Sequence, residues 1–191
     1  EVTDRKGAKS LVLFDEQPQN ARPDKIPYLK PAFRKNGTVT PANSSSISDG
    51  AAALILASKS YSEKEGLPVR ARILGHSSYA HAPGLFTTAP VYAVKNLLKS
   101  IEWSIEMVDL WEVNEAFAVV PMAFMQELDV SRKKMNVHGG ACAMGHPIGA
   151  SGARIMVTLL NALERYDLKR GVAAVCIGGG EGTAIAIERA Q

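Results

Sequence analysis

A glycine-rich but apolar stretch, running from Gly139 to Arg154, constrains this chain more than any other part of its sequence. Its one imidazole, His146, stands between Gly145 and Pro147. Proline fixes its own φ angle, and glycine opens backbone conformations that are closed to other residues. The apolar residues that follow recur at the spacing of an amphipathic helix: Met156, Leu159, Leu160 and Leu163. The sequence therefore predicts a shaped loop that holds a histidine at the start of a packed helix, a common setting for functional residues.

Elsewhere, short apolar runs alternate with helical patterns. Strands are predicted over 11–14, 51–57, 69–75, 107–113, 172–177 and 183–187, helices over 60–66, 91–98 and 115–128 with a kink at Pro121, and loops over most of 1–43 and 76–90. Alternating helices and apolar strands are typical of the α/β class with a largely buried sheet.

Composition excludes some classes of function. The 191 residues are 46% hydrophobic and 21% charged, ordinary values for a packed soluble protein. A dispersed net charge of +3 argues against nucleic acid as a partner, and no apolar run is long enough to span a membrane. The histidines other than His146 lack metal-ligand spacing, so no metal is expected. The two cysteines form no CxxC motif, which favours a reducing compartment such as the cytoplasm.

Four polar residues are candidates for chemistry. Asn114 follows a predicted strand, His146 precedes a helix, Cys176 ends a strand, and Ser45 lies in a polar turn. In open α/β sheets, ligands bind at the carboxyl ends of strands, where such junctions meet. Each residue also has a structural interpretation. Asn114 could cap a helix, His146 could be a structural loop residue, and Cys176, like Cys142, could be a small core residue.

Three motifs together are more specific. Asn114-Glu-Ala-Phe117, Gly145-His-Pro-Ile-Gly-Ala-Ser-Gly-Ala-Arg154 and Cys176-Ile-Gly-Gly-Gly180 resemble the thiolase family in sequence, order and separation. The resemblance covers nearly the whole chain but only the C-terminal half of a thiolase subunit. It implies a thiolase-like fold, with a mixed sheet flanked by helices. The implied divisions are the end of a loop domain over 1–50, the last strand region of the N-terminal domain over 51–68, and the C-terminal domain over 69–191.

The resemblance also assigns roles to residues. His146 would activate a nucleophilic cysteine and help bind the thioester oxygen, and Asn114 would hold a water in that first oxyanion hole. Cys176 would be the acid/base, and the Gly178 backbone N–H would contribute to a second oxyanion hole. Five residues match positions that contact the pantetheine arm of coenzyme A or line the acyl pocket: Ser45, Phe33, Phe86, Ala116 and Phe117.

The implied activity is that of an acetyl-CoA C-acetyltransferase, the reversible Claisen condensation of two acetyl-CoA to acetoacetyl-CoA and CoA. Coenzyme A would be substrate and product, and no cofactor is expected. Enolate formation needs oriented donors for the oxygen and a base near neutral pKa, which a thiol tuned by its neighbours can supply. A degradative 3-ketoacyl-CoA thiolase of broad specificity and a non-catalytic CoA-binding half remain alternatives. A ketoacyl synthase is disfavoured, since a second histidine would be expected in place of Asn114.

One part of the family's machinery is not encoded. Neither Cys142 nor Cys176 matches the motif of the nucleophilic cysteine, which lies in the N-terminal half of thiolases. We therefore expect an N-terminal segment, on the same polypeptide or a separate chain, without which these residues are inactive and poorly stable. The resemblance further implies a homodimer or homotetramer. The expected location is cytoplasmic, with mitochondria left open.

Overall fold

The structure is a computed structural model that describes residues 1–190. A four-stranded mixed sheet forms the centre of the second part of the chain. The strands are β1 (Val2–Thr3), β2 (Lys9–Ser10), β3 (Ala71–Ala80), β4 (Leu110–Val113), β5 (Arg170–Ile177) and β6 (Glu181–Arg189). The α-helices are α1 (Glu16–Asn20), α2 (Lys59–Lys64), α3 (Ala89–Ser100), α4 (Val119–Leu128), α5 (Ala141–Met144) and α6 (Ser151–Arg165). Short 3₁₀ helices cover Pro23–Tyr28, Pro41–Asn43, Pro83–Thr88 and Arg132–Lys134.

The sheet has the order β3-β6-β5-β4. β4 runs parallel to β5, whereas β5 pairs antiparallel with β6 and β6 antiparallel with β3. A glycine turn joins β5 to β6, as the sequence predicts, and places Cys176 opposite Gly182. β1 and β2 form a separate two-stranded ribbon. The α/β class and the mixed sheet flanked by helices are confirmed.

Helices cover both faces of the sheet, and strand alternation decides which side chain meets which helix. Val172, Ala174 and Cys176 of β5 lie in one hydrophobic cluster with α3 and α4, while Ala173 lies in a second cluster with α6. In β4, Trp111 and Val113 belong to the first cluster and Leu110 to the second. Glu112 and Asn114 alternate with Trp111 and Val113 along the chain. They therefore lie on the same face as Leu110, towards α6.

The helix predicted after the glycine-rich stretch is present as α6. Its buried face comprises Ile155, Leu159, Leu160 and Leu163, with Met156 packed at the edge. Helix α2 matches the predicted short helix and is followed by Gly66, whose φ of +61° suits glycine. The predicted helix over 115–128 begins later, at Val119. Pro121 thus falls in its first turn, where a missing N–H removes no helical hydrogen bond and no kink is required.

The prediction of a loop over 76–90 is wrong for residues 76–80. β3 continues to Ala80 and pairs with β6 as far as Glu181, with a register irregularity between Ile73 and Gly75. The predicted strand stops at Gly75, a residue type with low strand propensity, and residues 76–80 that follow contain no run of β-branched or apolar residues. Pairing along the full length of β6 overrides that propensity.

The strands predicted over 11–14 and 51–57 are also wrong. Both segments lack regular secondary structure, and Phe14 and Ile55 are 72% and 98% exposed. A strand needs a partner for its N–H and C=O groups, and no strand within residues 1–190 pairs with either segment. The region assigned to a last strand, 51–68, accordingly contains α2 and no strand. Gln191, the last residue of the predicted C-terminal domain, lies outside the described residues.

Candidate active site

His146 is held first through its backbone. Its N–H donates to the Ser46 carbonyl at 3.0 Å, and an isolated parallel bridge pairs it with Ile47. Gly145 precedes it with φ +91°, and a Cβ there would lie 2.0 Å from Ser48 Oγ. Only glycine allows this conformation and this close approach without strain. The 46–48 segment therefore fixes the path of the histidine loop.

The imidazole ring is held at both nitrogens. Nδ1 lies 2.6 Å from Ser151 Oγ, which in turn donates to the Pro147 carbonyl at 3.0 Å. Nε2 lies 3.3 Å from Nδ2 of Asn114. Burial, and secondarily the positive charge of Arg154, lower the pKa of His146. The ring is thus kept neutral near neutral pH, the form that can accept a proton.

Asn114 follows the last residue of β4 and is 1% exposed. Its backbone N–H donates to the Ala174 carbonyl of β5 at 2.9 Å, which extends the parallel pairing by one residue. The residue that precedes α4 is Ala118, so Asn114 does not cap that helix. The helix-cap interpretation is wrong, and the side chain is free to meet His146.

An ion pair that the sequence motifs did not single out lies behind Asn114. Arg154 Nη2 donates to Asn114 Oδ1 at 3.2 Å, and Arg154 Nη1 donates to Glu112 Oε1 at 3.3 Å. Glu112 is 2% exposed, and burial raises its pKa to about 7 although the charge of Arg154 opposes the shift. Strand alternation places Glu112 on the same face of the sheet as Asn114. That alternation is the sequence signal that points to Glu112 as a neighbour of the site.

Cys176 is the penultimate residue of β5 and faces the side of the sheet opposite to Asn114, where it is 6% exposed among the apolar residues that pack on α3 and α4. Burial raises the pKa of its thiol to about 11. The expectation of a base near neutral pKa is therefore wrong for this structure, because desolvation disfavours the thiolate. Its thiol is neutral at rest and becomes a strong base once ionised.

The turn after Cys176 exposes its backbone. A Cβ built on Gly178 meets nothing within 4 Å, and the residue is exposed, so there is open space beside its backbone. Gly180 closes the turn with φ +109°, and a Cβ there would lie 2.2 Å from the His81 carbonyl. The His81 N–H donates to the Gly180 carbonyl at 3.0 Å. The end of β3 thus supports the turn, and Gly178 stands at its open side.

The five residues predicted to bind substrate come together in one cluster. Ser45 Oγ donates to the Ala116 carbonyl at 3.0 Å, although 71 residues separate them. The Phe117 ring meets Phe33 edge-on at 5.9 Å between centroids and Phe86 at 6.3 Å. Ala116 and Phe86 also pack against the cluster that contains Cys176. These residues therefore form an apolar wall beside Asn114, and two of them pack on the same hydrophobic cluster as Cys176.

The other sequence candidates play structural parts. The Cys142 N–H donates to Glu115 Oε2 at 3.1 Å, and burial, with the Glu115 charge, raises the pKa of the Cys142 thiol to about 11.

Within residues 1–190, no group of three or more His, Cys, Asp or Glu is arranged to hold a metal ion. No helix in that range is long and apolar enough to cross a membrane.

Two family models match this chain, "Thiolase, C-terminal domain" over residues 67–189 and "Thiolase, N-terminal domain" over residues 1–60. The chain belongs to the thiolase family. A probable acetyl-CoA acetyltransferase of Dictyostelium discoideum is 50% identical over 98% of this thiolase chain and 45% of its own length.

Solved thiolase structures agree. The Bacillus anthracis acetyl-CoA acetyltransferase superposes with a TM-score of 0.88 and 44% identity over 92% of this chain and 45% of its own. The Acat5 thiolase of Ascaris suum, in complex with coenzyme A, superposes with a TM-score of 0.84 and 42% sequence identity. That superposition covers 94% of this chain and 47% of the Ascaris chain. The thiolase-like fold is confirmed. The chain spans about half the length of these relatives.

Proposed function

We propose that this chain supplies the acid–base and substrate-binding half of an acetyl-CoA C-acetyltransferase, which condenses two acetyl-CoA to acetoacetyl-CoA and CoA and runs the same reaction in reverse. The observation that carries the proposal is the contact between the buried Asn114 and the half-buried His146, with Nδ2 and Nε2 3.3 Å apart. A neutral imidazole beside a fixed amide donor can accept a proton from a thiol and then stabilise an oxyanion.

In the first half-reaction, His146 takes the proton of a nucleophilic cysteine, and that sulfur attacks the carbonyl of acetyl-CoA. Asn114, through a bound water, and His146 stabilise the tetrahedral oxyanion. Cys176 gives its proton to the leaving CoA thiolate, which leaves an acetyl-cysteine and a Cys176 thiolate. A thiol whose pKa burial raises to about 11 is protonated at rest, as this step requires.

In the second half-reaction, the Cys176 thiolate removes a proton from the methyl group of a second acetyl-CoA. The Gly178 N–H is the proposed donor to the enolate oxygen, and its open side supports that role. The enolate attacks the acetyl-cysteine, acetoacetyl-CoA leaves, and the imidazolium of His146 returns its proton to the freed sulfur. Protons and thiolates balance over the cycle, and no cofactor is needed.

The nucleophile is proposed to lie outside these 191 residues. Burial raises the pKa of both Cys142 and Cys176 to about 11, so neither thiol is an activated nucleophile. The exposed apolar residues of the first part of the chain, such as Ile47 at 99% and Ile55 at 98%, support a further segment that covers them. That segment, on the same or another polypeptide, would bring its cysteine to His146 and complete the N-terminal domain.

The pantetheine arm of coenzyme A is proposed to lie along the Ser45, Ala116 and Phe117 wall. The Phe33 ring is 73% exposed beside Phe117, so it offers an apolar surface to a ligand.

We also propose that the chain divides into the segments 1–50, 51–68 and 69–191, that the protein is a homodimer or homotetramer, and that it is located in the cytoplasm. Two free cysteines among the described residues are compatible with a reducing compartment.

Intact-mass and acyl-transfer measurements on the purified protein test the proposal. We expect thiolysis of acetoacetyl-CoA only in samples that contain a further segment, with a 42-dalton acetyl adduct on a cysteine of that segment. A single species of 20.5 kDa with full activity would overturn the location of the nucleophile. Faster turnover of a long-chain 3-ketoacyl-CoA would favour the degradative alternative. CoA binding without turnover in the complete assembly would favour the non-catalytic one.

A further inference from the structure

The side chain of Arg154 lies between a buried carboxylate and a buried amide. Its Nη1 donates to Glu112 Oε1 at 3.3 Å and its Nη2 to Asn114 Oδ1 at 3.2 Å. The Arg154 side chain is 16% exposed, that of Glu112 2% and Asn114 1%. Neither Arg154 nor Glu112 is among the proposed catalytic groups, so this buried ion pair has no part yet in the reaction.

Arginine can only donate hydrogen bonds, so whatever faces it must accept them. The Asn114 carboxamide therefore turns its oxygen to Arg154 and its nitrogen to His146. A flipped amide would set N–H against N–H at Arg154 and leave buried donors unpaired. The Glu112 carboxylate in turn holds the guanidinium, because it accepts from the other end of the same fork.

The orientation of Asn114 then decides the tautomer of His146. Nε2 lies 3.3 Å from a nitrogen that donates, so it must present its lone pair. The ring proton is then on Nδ1, which donates to Ser151 Oγ at 2.6 Å. The Ser151 hydroxyl passes its own hydrogen to the Pro147 carbonyl at 3.0 Å. From Glu112 to Pro147, the hydrogen-bond directions are consistent with one another: Arg154 can only donate at one end, and the Pro147 carbonyl can only accept at the other.

We propose that Arg154, anchored by Glu112, is a positioning residue that fixes the Asn114 amide and thereby keeps the proton of the neutral His146 ring on Nδ1. The inference rests on the proposed function only in its consequence, because this tautomer leaves Nε2 unprotonated, and an unprotonated nitrogen is the form that can take the proton of a thiol. The tautomer itself is a property of the folded protein without substrate.

Long-range ¹H–¹⁵N NMR spectra of the purified protein, labelled at histidine, test the first part directly. The signals of His146 are assigned by their loss in His146→Gln, and the spectra are recorded above the pKa of the ring. We expect the proton on Nδ1 and an unprotonated Nε2. A proton on Nε2 in the unmodified protein overturns the proposal without recourse to any further variant.

Substitution of the arginine tests the second part. In Arg154→Met, the Nε2-protonated form should rise to a population comparable with the Nδ1 form, and kcat/KM should fall roughly 100-fold because the proton acceptor is misplaced. Arg154→Lys, which keeps a donor near Asn114, should recover part of both. Arg165→Met is the matched control on the same helix, with an exposed side chain, and should change neither.

A second variant covers a failure of Arg154→Met to fold. The double variant Glu112→Gln with Arg154→Met removes both charges together, so no buried charge is left alone. An unchanged tautomer in either variant, with a cooperative thermal transition, overturns the proposal. A shifted tautomer with no acyl transfer in any form of the complete protein, including the unmodified one, supports the positioning role and overturns only the proposed function.

Discussion

The carboxamide nitrogen of Asn114 lies 3.3 Å from Nε2 of His146, although 32 residues separate them in sequence. Two independent constraints produce the contact. The parallel pairing of β4 with β5 carries Asn114 to the carboxyl edge of the sheet, and the hydrogen bond from His146 to Ser46 carries the loop to the same edge. Backbone hydrogen bonds therefore position both residues, as a pre-organised site requires.

Asn114→Asp tests whether the amide donor matters. The carboxylate cannot donate to an oxyanion or a water, and its negative charge favours the imidazolium, so the pKa of His146 should rise. Loss of one donor of an oxyanion hole costs roughly 100- to 1,000-fold in kcat. NMR titration of His146 and steady-state kinetics of the complete protein measure both effects. Asn161→Asp, exposed on α6, is the control, and equal losses in the two variants would contradict the role of Asn114.

Cys176→Ala tests the proposed acid/base. We expect kcat to fall roughly 100- to 10,000-fold, the range for loss of a general acid–base group. Acetylation of the nucleophilic cysteine should be slower, because the leaving CoA thiolate loses its proton donor, but it should still occur, since the nucleophile and His146 remain. Stopped-reaction mass spectrometry follows the adduct, and steady-state assays follow turnover. Cys142→Ala, which removes the other thiol, should keep near-normal turnover. A Cys176→Ala protein with unchanged kcat would contradict the assignment.

Sequence patterns predicted the parts of the fold that are stabilised locally or by one apolar face. The stripe of α6 and the β5–glycine–β6 hairpin are both present where the period and the turn residues placed them. The pattern failed where pairing decides. His76 and Ser77 have no strand signal of their own, yet β6 pairs with them, whereas the apolar run over 51–57 finds no partner strand within residues 1–190.

The candidate site divides in the same way. Motif spacing found Asn114 and His146, and the aromatic wall around Phe117 also came from the resemblance. The Glu112–Arg154 pair was missed because its two members are 42 residues apart and meet only once β4 packs on α6. The raised pKa of Cys176 was missed as well, since burial depends on the whole sheet and not on neighbours in sequence.

Gly145→Ala tests the backbone geometry that holds His146. At φ +91°, a non-glycine residue costs on the order of 1–3 kcal/mol, and the new Cβ would lie 2.0 Å from Ser48 Oγ, so the loop must move. We expect a lower free energy of unfolding in chemical denaturation and a large loss of kcat/KM. Gly149→Ala is the control in the same loop, because its Cβ meets nothing within 4 Å and its φ is not positive. Identical behaviour of the two variants would refute the argument.

Glu112→Gln gives the protein a different dependence of stability on pH. Burial raises the pKa of Glu112 from 4.5 to about 7, so between these values the folded state binds more protons than the unfolded state. Raising the pH through that window therefore lowers the free energy of unfolding of the unmodified protein, and the glutamine variant lacks this contribution.

The quantity to measure is the free energy of unfolding of the unmodified protein minus that of Glu112→Gln. It should fall as pH rises from about 4.5 to about 7, by at most about 1.4 kcal/mol per pH unit, and level off on either side. Glu164→Gln provides a contrast of opposite sign, because the hydrogen bond from Arg70 lowers the pKa of that partly exposed carboxyl. Its difference should rise with pH, weakly and in a more acidic range. A difference for Glu112→Gln that does not change with pH would contradict the raised pKa of Glu112, in which the effect of burial exceeds that of the Arg154 charge.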